Sequence, residues 1–477
     1  MEDNLLLKTD SYKVSHWKQY PSNTTFVYSY LESRGGSYES TVFFGLQYIL
    51  KKHLVGKVVT REKLDEAATF WKEHLKQDLV NYEMWEYIIE HHNGHLPIII
   101  KAVPEGSVVP LHNVLMTIEN TDPKCFSLAG YLETLLLQIW YPITIASNSR
   151  EIKKILLKSL KKTGDPNLIP FQLHDFGFRG VSSYETSAIG AASHLTSFMG
   201  SDTISGSVLA RNYYNSRQIA AYSIPATEHS TIVSWGKDNE CKAYEHVLDL
   251  YKTGLFSCVS DSYDIFKAVG EMWGGVLRDK LMNHNGTLVI RSDSGEPSEV
   301  LEILLNILWD KFGGSKNSKG YKVLDKHVRL IQGDGVNLNS IKEILAMCER
   351  IGFSSDNLVF GSGGGLLQKF DRDTMKFAIK CSYVYIEGRG GVSVAKDPVT
   401  DRGKRNKPGR LKLIKDKNQK YVTVSSINDK DIYDDKNVND ELVTVFENGK
   451  ILKEYTFDEI RKNCEIDLDQ VDGMTTL

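Results

Sequence analysis

Leu255–Asp261, with the sequence LFSCVSD, is an apolar run that ends in a carboxylate, and the chain repeats this form. It returns at Thr287–Asp293 (TLVIRSD) and Val328–Asp334 (VRLIQGD), and more briefly at Phe171–Asp175 (FQLHD). A further run, Asn357–Phe360, leads into glycines, and helix-like stretches separate the runs. Short apolar strands that alternate with helices predict a parallel β/α sheet or barrel. Polar residues that follow parallel strands gather on one rim of such a barrel, where a functional site is expected.

This β/α rhythm occupies only part of the chain, and the remainder predicts a second domain. Residues 166–389 are predicted to form an irregular, barrel-like β/α catalytic domain. Residues 1–165 and 390–477 lack the acidic strand ends, and runs such as Thr25–Tyr30 predict strands there. We therefore predict an α/β chain whose N- and C-terminal segments together build a mainly β-sheet α+β domain. A chain of 477 residues is long enough for both domains.

The composition narrows the class of protein. Hydrophobic residues make up 41% and charged residues 25% of the chain, and the formal net charge is -3, so no overall basic field favours nucleic acid or an acidic membrane. No apolar run approaches the roughly 18 residues that span a bilayer, and the acidic start Met1–Asn4 is not expected to be a secretory signal. The 6 cysteines are scattered, which predicts reduced thiols in a cytoplasmic protein rather than disulfides or zinc ligands.

Glycines and arginines at the strand ends indicate an anionic ligand. Gly361–Gly365 (GSGGG) follows a strand and precedes a helix, so its backbone N–H groups could cradle a phosphate. A purely structural tight turn would have the same sequence. Arg179, Arg291 and Arg372 accompany these loops, and guanidinium groups suit bidentate binding of phosphate. Each arginine alone is more often part of a surface ion pair, but three beside a glycine run favour a polyphosphorylated ligand.

The strand-end carboxylates leave several roles open. Asp261, Asp293 and Asp334 could bind a metal, ribose hydroxyls or an orienting histidine, and a strand-end aspartate is also a common helix cap. His229 follows a proline-bearing segment and precedes a predicted helix, and a lone histidine is structural more often than catalytic. Because a neighbouring strand ends in Asp261, the two residues could pair. Such a pair would fix the imidazole tautomer and leave its other nitrogen nucleophilic.

Segments spread over almost the whole chain resemble the nicotinamide phosphoribosyltransferase family. The matching stretches, in chain order, are Asp10–Lys13, Gly45–Tyr48, Trp140–Thr144, His174–Gly180, Pro225–Ser230, Gln332–Gly335, Phe360–Lys369 and Lys396–Pro398. The resemblance implies a type II phosphoribosyltransferase of NAD salvage, which joins nicotinamide to 5-phosphoribosyl 1-pyrophosphate. It further implies Mg²⁺, ATP as a co-substrate, and a homodimer whose active sites lie at the subunit interface.

The resemblance assigns four residues to the pyridine ring and its carboxamide. Phe176 and, from the other subunit, Tyr12 would sandwich the ring by stacking. Asp202 would accept the carboxamide N–H and would also repel the anion nicotinate. Arg291 would bind the carboxamide oxygen and phosphate.

The resemblance assigns the remaining residues to the phosphates, the sugar and the ATP-dependent step. ATP would phosphorylate His229, with Asp261 orienting the ring, and Asp293 would hold ribose hydroxyls or magnesium-bound water. Any Mg²⁺ would be held mainly by pyrophosphate and water. Contacts to the ribose, the phosphates, pyrophosphate or ATP would come from Arg179, Gly333, Asp334, Gly364, Arg372, Lys380, Lys396 and Lys404.

Three rival functions remain at this level. Nicotinate phosphoribosyltransferase shares the fold and the chemistry, and Asp202 is the residue that discriminates against it. A non-catalytic binding protein would have no reason to keep the charged rim. A Schiff-base aldolase would need a lysine at the end of an apolar strand, where only Lys380 comes close.

Overall fold

The computed structural model describes residues 4–396, Thr400, 405–426 and 439–473. The strands of these segments are, in chain order, β1 (Thr24–Ser33), β2 (Ser40–Val42), β3 (Ile98–Ala102), β4 (Val108–Pro110), β5 (Val114–Asn120), β6 (Leu173–Asp175), β7 (Gly200–Ser201), β8 (Thr253–Val259), β9 (Asn285–Ser292), β10 (Gly314–Lys316), β11 (Lys322–Leu324), β12 (Val328–Gln332), β13 (Leu358–Ser362), β14 (Phe377–Ile386), β15 (Gly390–Ser393), β16 (Arg410–Lys415), β17 (Tyr421–Ser426), β18 (Val443–Glu447) and β19 (Lys450–Ile451).

The α-helices in the same segments are α1 (Leu46–Ile49), α2 (Arg61–Leu75), α3 (Tyr82–His91), α4 (Leu128–Tyr131), α5 (Glu133–Leu137), α6 (Trp140–Thr163), α7 (Tyr184–His194), α8 (Ile204–Tyr214), α9 (His229–Val233), α10 (Glu240–Leu250), α11 (Ile265–Lys267), α12 (Arg278–Met282), α13 (Pro297–Phe312), α14 (Leu338–Arg350), α15 (Gly364–Leu367) and α16 (Phe457–Asn463). Two π-helical segments, Leu50–Leu54 and Ala268–Val276, continue α1 and α11. Within the described residues, no helix combines the length and the apolar character that a membrane span requires.

The first of two compact units comprises Met1–Ser147, Asn212–Ser216 and Phe370–Cys464, as far as these ranges are described. Its centre is a seven-stranded antiparallel sheet in the order β15-β14-β1-β5-β3-β18-β19. Strands from both ends of the chain pair within this sheet, β14 with β1 and β18 with β3. The predicted α+β domain built from N- and C-terminal segments is therefore present.

The second unit comprises Asn148–Arg211, Arg217–Lys369 and Glu465–Leu477, again within the described residues. Its six-stranded sheet has the order β7-β6-β13-β12-β9-β8, and every pairing in it is parallel. Isolated parallel bridges join Gly200 to Tyr222 and Ala226 to Ser257, so the segment between them links the two edge strands. The sheet thus curls into an irregular barrel, which confirms the predicted fold class.

The helices of the second unit follow from their sequences. Pro297 occupies the first turn of α13, where its missing N–H costs no hydrogen bond. Asn337 caps α14 by accepting from the backbone of Ser340, whose side chain in turn accepts from the backbone N–H of Asn337. Both helices bury apolar residues at helical spacing, as their sequences predict: Leu301, Leu304, Leu305, Leu308, Phe312, Ile341, Ile344, Leu345 and Cys348.

The division by contacts differs from the boundaries expected at residues 165 and 390. Strand β14 lies before residue 390 but belongs to the first unit, because its hydrogen bonds go to β1. The second unit already begins at Asn148, within α6. It also takes the end of the chain, where Ile466 and Val471 pack against Leu157. The pattern of strands and helices in the sequence predicted the two domains, but it did not predict which unit β14, the end of α6 and the C-terminal segment belong to.

Candidate active site

The barrel of the second unit encloses a cavity of about 1280 Å³. Side chains line it by strand alternation: on β8, Leu255 and Ser257 face the cavity, whereas Phe256 and Cys258 are fully buried. Arg291 on β9 and residues that follow the carboxyl ends of the strands also line it. Because the inward-facing side chains do not fill the interior, the barrel has room for a small-molecule ligand.

Phe176 lines this cavity, and glycine backbone makes room for its ring. The Phe176 N–H donates to the carbonyl oxygen of Ser362 at 2.9 Å, which fixes the turn after β6 to the end of β13. A Cβ on Gly361 would stand 2.0 Å from Cε2 of Phe176, and one on Gly333 would stand 3.7 Å from the same atom. Sequence reasoning assigned the glycine run to phosphate. The structure gives Gly361 a different role, which is to admit an aromatic ring against the strand.

Asp202 faces the same cavity, and two donors hold one of its carboxylate oxygens. Its Oδ1 lies 2.9 Å from Nε2 of His174 and also accepts from the hydroxyl of Ser223. Burial favours a higher pKa for Asp202, but the bonds from His174 and Ser223 and the charge of Arg291 outweigh it and leave the pKa below its usual value. Asp202 is therefore an ionised acceptor at neutral pH. His174 and Ser223 were not among the candidate residues, although His174 precedes a strand-end carboxylate as other candidates do.

Asp175 joins the loop that carries Phe176 to the loop that carries Asp202. Its side chain is fully buried, and its two oxygens accept from the Gly177 N–H at 2.7 Å and the Ser201 hydroxyl at 2.9 Å. Its carbonyl oxygen accepts from the Asp202 N–H at 3.0 Å. Burial raises the pKa of this carboxyl, although the Gly177 and Ser201 bonds oppose the shift. Asp175 thus links the loops that position Phe176 and Asp202.

His229 and Asp261 form a hydrogen-bonded pair on the rim. His229 is the first residue of α9, and its Nε2 lies 3.1 Å from Oδ1 of Asp261. The second oxygen of Asp261 accepts from the backbone N–H of Asp293 at 3.1 Å and from the hydroxyl of Ser294 at 2.6 Å. The Asp261 side chain is 4% exposed and that of His229 is 44% exposed. The buried carboxylate can thus orient an imidazole that a ligand can reach.

Arg291 and Asp293 form an ion pair at the end of β9, with Nη2 of the arginine 2.8 Å from Oδ2 of the aspartate. A Cβ on Gly333 would stand 2.6 Å from Oδ1 of Asp293, so only glycine leaves room for this carboxylate. The Nε–H of Arg291 is buried without a hydrogen-bond partner within the described residues. A buried donor of this kind requires an acceptor, and a ligand oxygen can supply one.

The other candidates of the second unit lie near this group. Arg179 and Gly364 line the cavity, and a Cβ on Gly364 would meet no atom within 4 Å, so the backbone there is open to a ligand. Asp334 follows β12 and is exposed, and its carbonyl oxygen accepts from the Gln332 side chain at 2.8 Å.

Four further candidates belong to the first unit. The Tyr12 side chain is 60% exposed, Arg372 begins a short 3₁₀ turn, and Lys396 is exposed. Lys380 lies on β14, where burial lowers the pKa of its amine and the nearby cation Arg34 adds to the effect. Lys404 lies outside the described residues.

Arg34 is a cation of the first unit that sequence reasoning missed. Its Nε donates to Glu32 at 2.7 Å, whereas its Nη2 is buried without a hydrogen-bond partner in the described part of the chain. Arg34 directly follows β1, so the rule that selected arginines at the ends of other strands would have found it.

One metal-capable group of His, Asp and Cys occurs among the described residues, and it lies in the first unit. Its members are His92, Asp122 and Cys125. The oxygens of Asp122 are already used, because they accept from His92, from the Tyr87 hydroxyl and from the backbone N–H of Lys124. Burial raises the pKa of the Cys125 thiol to about 12. Packing and capping therefore account for this group.

Comparison with known proteins gives a consistent family. The profile of the nicotinate phosphoribosyltransferase family matches residues 171–450, and that of the nicotinamide phosphoribosyltransferase N-terminal domain matches residues 4–100. The chain is 48% identical over 467 residues to nicotinamide phosphoribosyltransferase of Xanthomonas campestris pv. campestris (strain 8004), covering 97% of this chain and 98% of that protein. The protein of the same name from Acinetobacter baylyi is 32% identical, with 96% of both chains covered.

Two solved structures share the fold at low sequence identity. A nicotinate-nucleotide pyrophosphorylase from Pyrococcus furiosus aligns with a TM-score of 0.61 at 18% identity, covering 99% of this chain and 97% of that one. Human nicotinic acid phosphoribosyltransferase aligns with a TM-score of 0.50 at 14% identity, covering 96% and 92%. Together with the near full-length match to the Xanthomonas protein, these findings establish that the chain belongs to the nicotinamide phosphoribosyltransferase family.

Proposed function

We propose that the protein transfers the phosphoribosyl group of 5-phosphoribosyl 1-pyrophosphate to nicotinamide, giving nicotinamide mononucleotide and pyrophosphate, with ATP hydrolysis coupled to the reaction. The observation that carries this proposal is the ionised carboxylate of Asp202 in a cavity that Phe176 also lines. An aromatic face suits the flat pyridine ring, and a carboxylate acceptor suits a carboxamide N–H.

The same carboxylate argues against the nearest alternative, nicotinate phosphoribosyltransferase. Nicotinate is an anion, and a second negative charge beside Asp202 would be repelled in a partly desolvated site. Arg291, whose buried Nε–H has no hydrogen-bond partner in the described part of the chain, is placed to donate to the carboxamide oxygen or to a phosphate.

The chemistry is a displacement at the anomeric carbon of the ribose. The bond from that carbon to the pyrophosphate oxygen breaks, and the pyridine nitrogen supplies the electron pair for the new bond. The transition state has oxocarbenium character, so the protein acts by positioning the ring and stabilising charge. Arg179 and Arg291, which both line the cavity, are the arginines of the second unit that we assign to the phosphates and pyrophosphate.

Mg²⁺ fits this site as an ion carried by the pyrophosphate and water. Asp293 is already paired with Arg291, and Asp261 is already bonded to His229 and Ser294, so these carboxylates form no ready cage for a cation. Asp293 would hold the ion through water, and the ion would supply neutralising charge to the leaving group.

ATP would enter through the His229–Asp261 pair. With Nε2 engaged by Asp261, the Nδ1 lone pair of the exposed imidazole is free to attack the γ-phosphorus, and the bond to ADP breaks. Hydrolysis of this phosphohistidine would pull the synthesis forward. His229 is not the nucleophile towards the ribose.

We also propose a cytoplasmic homodimer in which Tyr12 of one subunit completes the ring site of the other. The 60% exposure of Tyr12 in the isolated chain supports a role at an interface. None of the 6 cysteines forms a disulfide within the described residues, which supports a reducing compartment.

A product assay tests the activity. We expect protein incubated with phosphoribosyl pyrophosphate, Mg²⁺, ATP and nicotinamide to form nicotinamide mononucleotide. With nicotinate we expect kcat/KM to be at least about 10²-fold lower, because repulsion between its carboxylate and that of Asp202 costs a few kcal/mol. Chromatography of the nucleotides distinguishes the two products. Equal or faster formation of nicotinate mononucleotide would refute the proposal.

Gly361→Ala is expected to raise the KM for nicotinamide about tenfold, because the added methyl would occupy the position of the Phe176 ring and cost the stacking interaction. The KM for phosphoribosyl pyrophosphate should change less than about threefold. Gly275→Ala is a matched control, since a Cβ there meets its nearest atom at 3.7 Å. An unchanged KM for nicotinamide would show that the ring of Phe176 does not lie where we place the substrate.

A further inference from the structure

Two separate segments of the barrel converge on one oxygen of Asp202. Oδ1 lies 2.9 Å from Nε2 of His174, which belongs to β6. It also accepts a hydrogen bond from the hydroxyl of Ser223, which lies in the segment that closes the barrel. No partner is recorded for Oδ2 among the described residues. One oxygen is therefore fixed and the other is left for a ligand, in a carboxylate whose side chain is 47% exposed to the cavity.

The histidine that fixes this oxygen is itself held in place. His174 lies opposite Gly200 in the parallel ladder between β6 and β7, and a Cβ on Gly200 would stand 2.8 Å from its Nδ1. Glycine at position 200 thus makes room for the imidazole. The ring also neighbours that of Phe176, with centroids 5.1 Å apart and planes tilted by 49°. His174 therefore contacts both groups that we assign to nicotinamide.

We infer that His174 is a positioning residue for substrate choice, which holds Asp202 so that its free oxygen meets the carboxamide N–H of nicotinamide, with Ser223 as a second, weaker support. The inference rests on the proposed function and adds to it the origin of the selectivity. Asp202 alone could rotate about its side-chain torsions and present either oxygen or neither. Two donors on Oδ1 remove that freedom, and an acceptor that is already oriented binds its donor without the cost of ordering it.

The charge state follows from the same contacts. A hydrogen bond donated by His174 does not protonate Asp202, whose pKa lies below its usual value, so the carboxylate continues to repel nicotinate. The titratable or cationic groups near this carboxylate are His174 and Arg291, and His174 also acts on Asp175. Arg291 pairs with Asp293, so its charge is already shared.

Two amide substitutions at position 174 test whether the side chain acts by holding Asp202 or only by filling space. In His174→Gln the side-chain N–H can reach the position of Nε2, whereas in His174→Asn it falls near Nδ1, on the side of Gly200. We expect His174→Ala and His174→Asn to raise the KM for nicotinamide at least about tenfold, with kcat changed less than about threefold. We expect His174→Gln to restore the KM to within about threefold of the original value. Ser223→Ala should give a smaller rise, because His174 remains.

The selectivity ratio and a double-mutant cycle complete the test. The ratio of kcat/KM for nicotinamide to that for nicotinate should fall in His174→Ala, and the combined effect of His174→Ala and Asp202→Asn should be clearly smaller than the product of the two single effects, because the histidine acts through that carboxylate. Thermal unfolding of each variant reports whether the fold is kept. Equal effects of His174→Gln and His174→Asn, or additive effects of His174→Ala and Asp202→Asn, would overturn the inference. If Asp202→Asn alone leaves the ratio unchanged, the proposed role of Asp202 fails instead.

Discussion

Asp202→Ser is expected to lower kcat/KM for nicotinamide by about 10- to 150-fold, because a hydrogen bond to a charged acceptor is worth about 1.5–3 kcal/mol and each 1.36 kcal/mol changes a rate tenfold. Nicotinate should gain by a comparable factor, since the negative charge that repels it is removed. The ratio of the two kcat/KM values should therefore shift by about 10²-fold or more.

Competition between the two substrates measures this shift directly. Equal amounts of nicotinamide and nicotinate are supplied with phosphoribosyl pyrophosphate, and the two mononucleotides are quantified. Asp310→Asn is the matched control, because Asp310 is an exposed carboxylate of α13 in the same unit. Unchanged nicotinamide turnover in Asp202→Ser would show that this carboxylate does not contact the substrate.

His229→Ala is expected to abolish ATP hydrolysis and covalent labelling of the protein by γ-labelled ATP, because the imidazole nitrogen that accepts the phosphoryl group is lost. Synthesis of nicotinamide mononucleotide without ATP should continue at a reduced rate, since no group that we assign to the ribose or the pyridine ring is removed. Asp261→Asn should lower labelling by about 10²-fold. The neutral amide no longer holds Nε2–H as a carboxylate does, and it no longer stabilises the positive charge on the imidazole ring.

His246→Ala provides the control for the histidine change, since His246 is exposed on α10 of the same unit. Phosphate release and protein labelling should be unaffected in that variant. Persistent ATP hydrolysis in His229→Ala would contradict the proposed phosphohistidine. It would not bear on the transferase activity, which the product assay tests separately.

Local sequence was sufficient for the elements that carry the site. The runs that end at Asp261, Asp293 and Asp334 all lead from strands of one parallel sheet, and their partners in the ladder place their ends at the same edge. Such a pattern can be read along the chain because strand alternation and strand length are local properties. The strand pattern predicts the barrel, and the segments that resemble nicotinamide phosphoribosyltransferases predict the family.

Local sequence was insufficient for the contacts that tune the site. His174 meets Asp202 across 28 residues, and the parallel bridges of Tyr222 and Ala226 close the barrel without forming a named strand. Neither contact has a periodic signal. The glycine at 361 was assigned to phosphate for the same reason: its sequence shows only that a side chain is absent, and the structure shows which ring takes that space.

The sequence by itself therefore determined the parallel β/α architecture, the rim on which the charged residues gather and the family to which the chain belongs. These depend on short-range periodicity and on motifs whose residues are adjacent. Only the tertiary structure decided that Oδ1 of Asp202 is held by His174 while Oδ2 has no hydrogen-bond partner among the described residues, which oxygen of Asp261 bonds His229, and that β14 belongs to the first unit. Those facts depend on strand order and register, which bring residues together that are far apart along the chain.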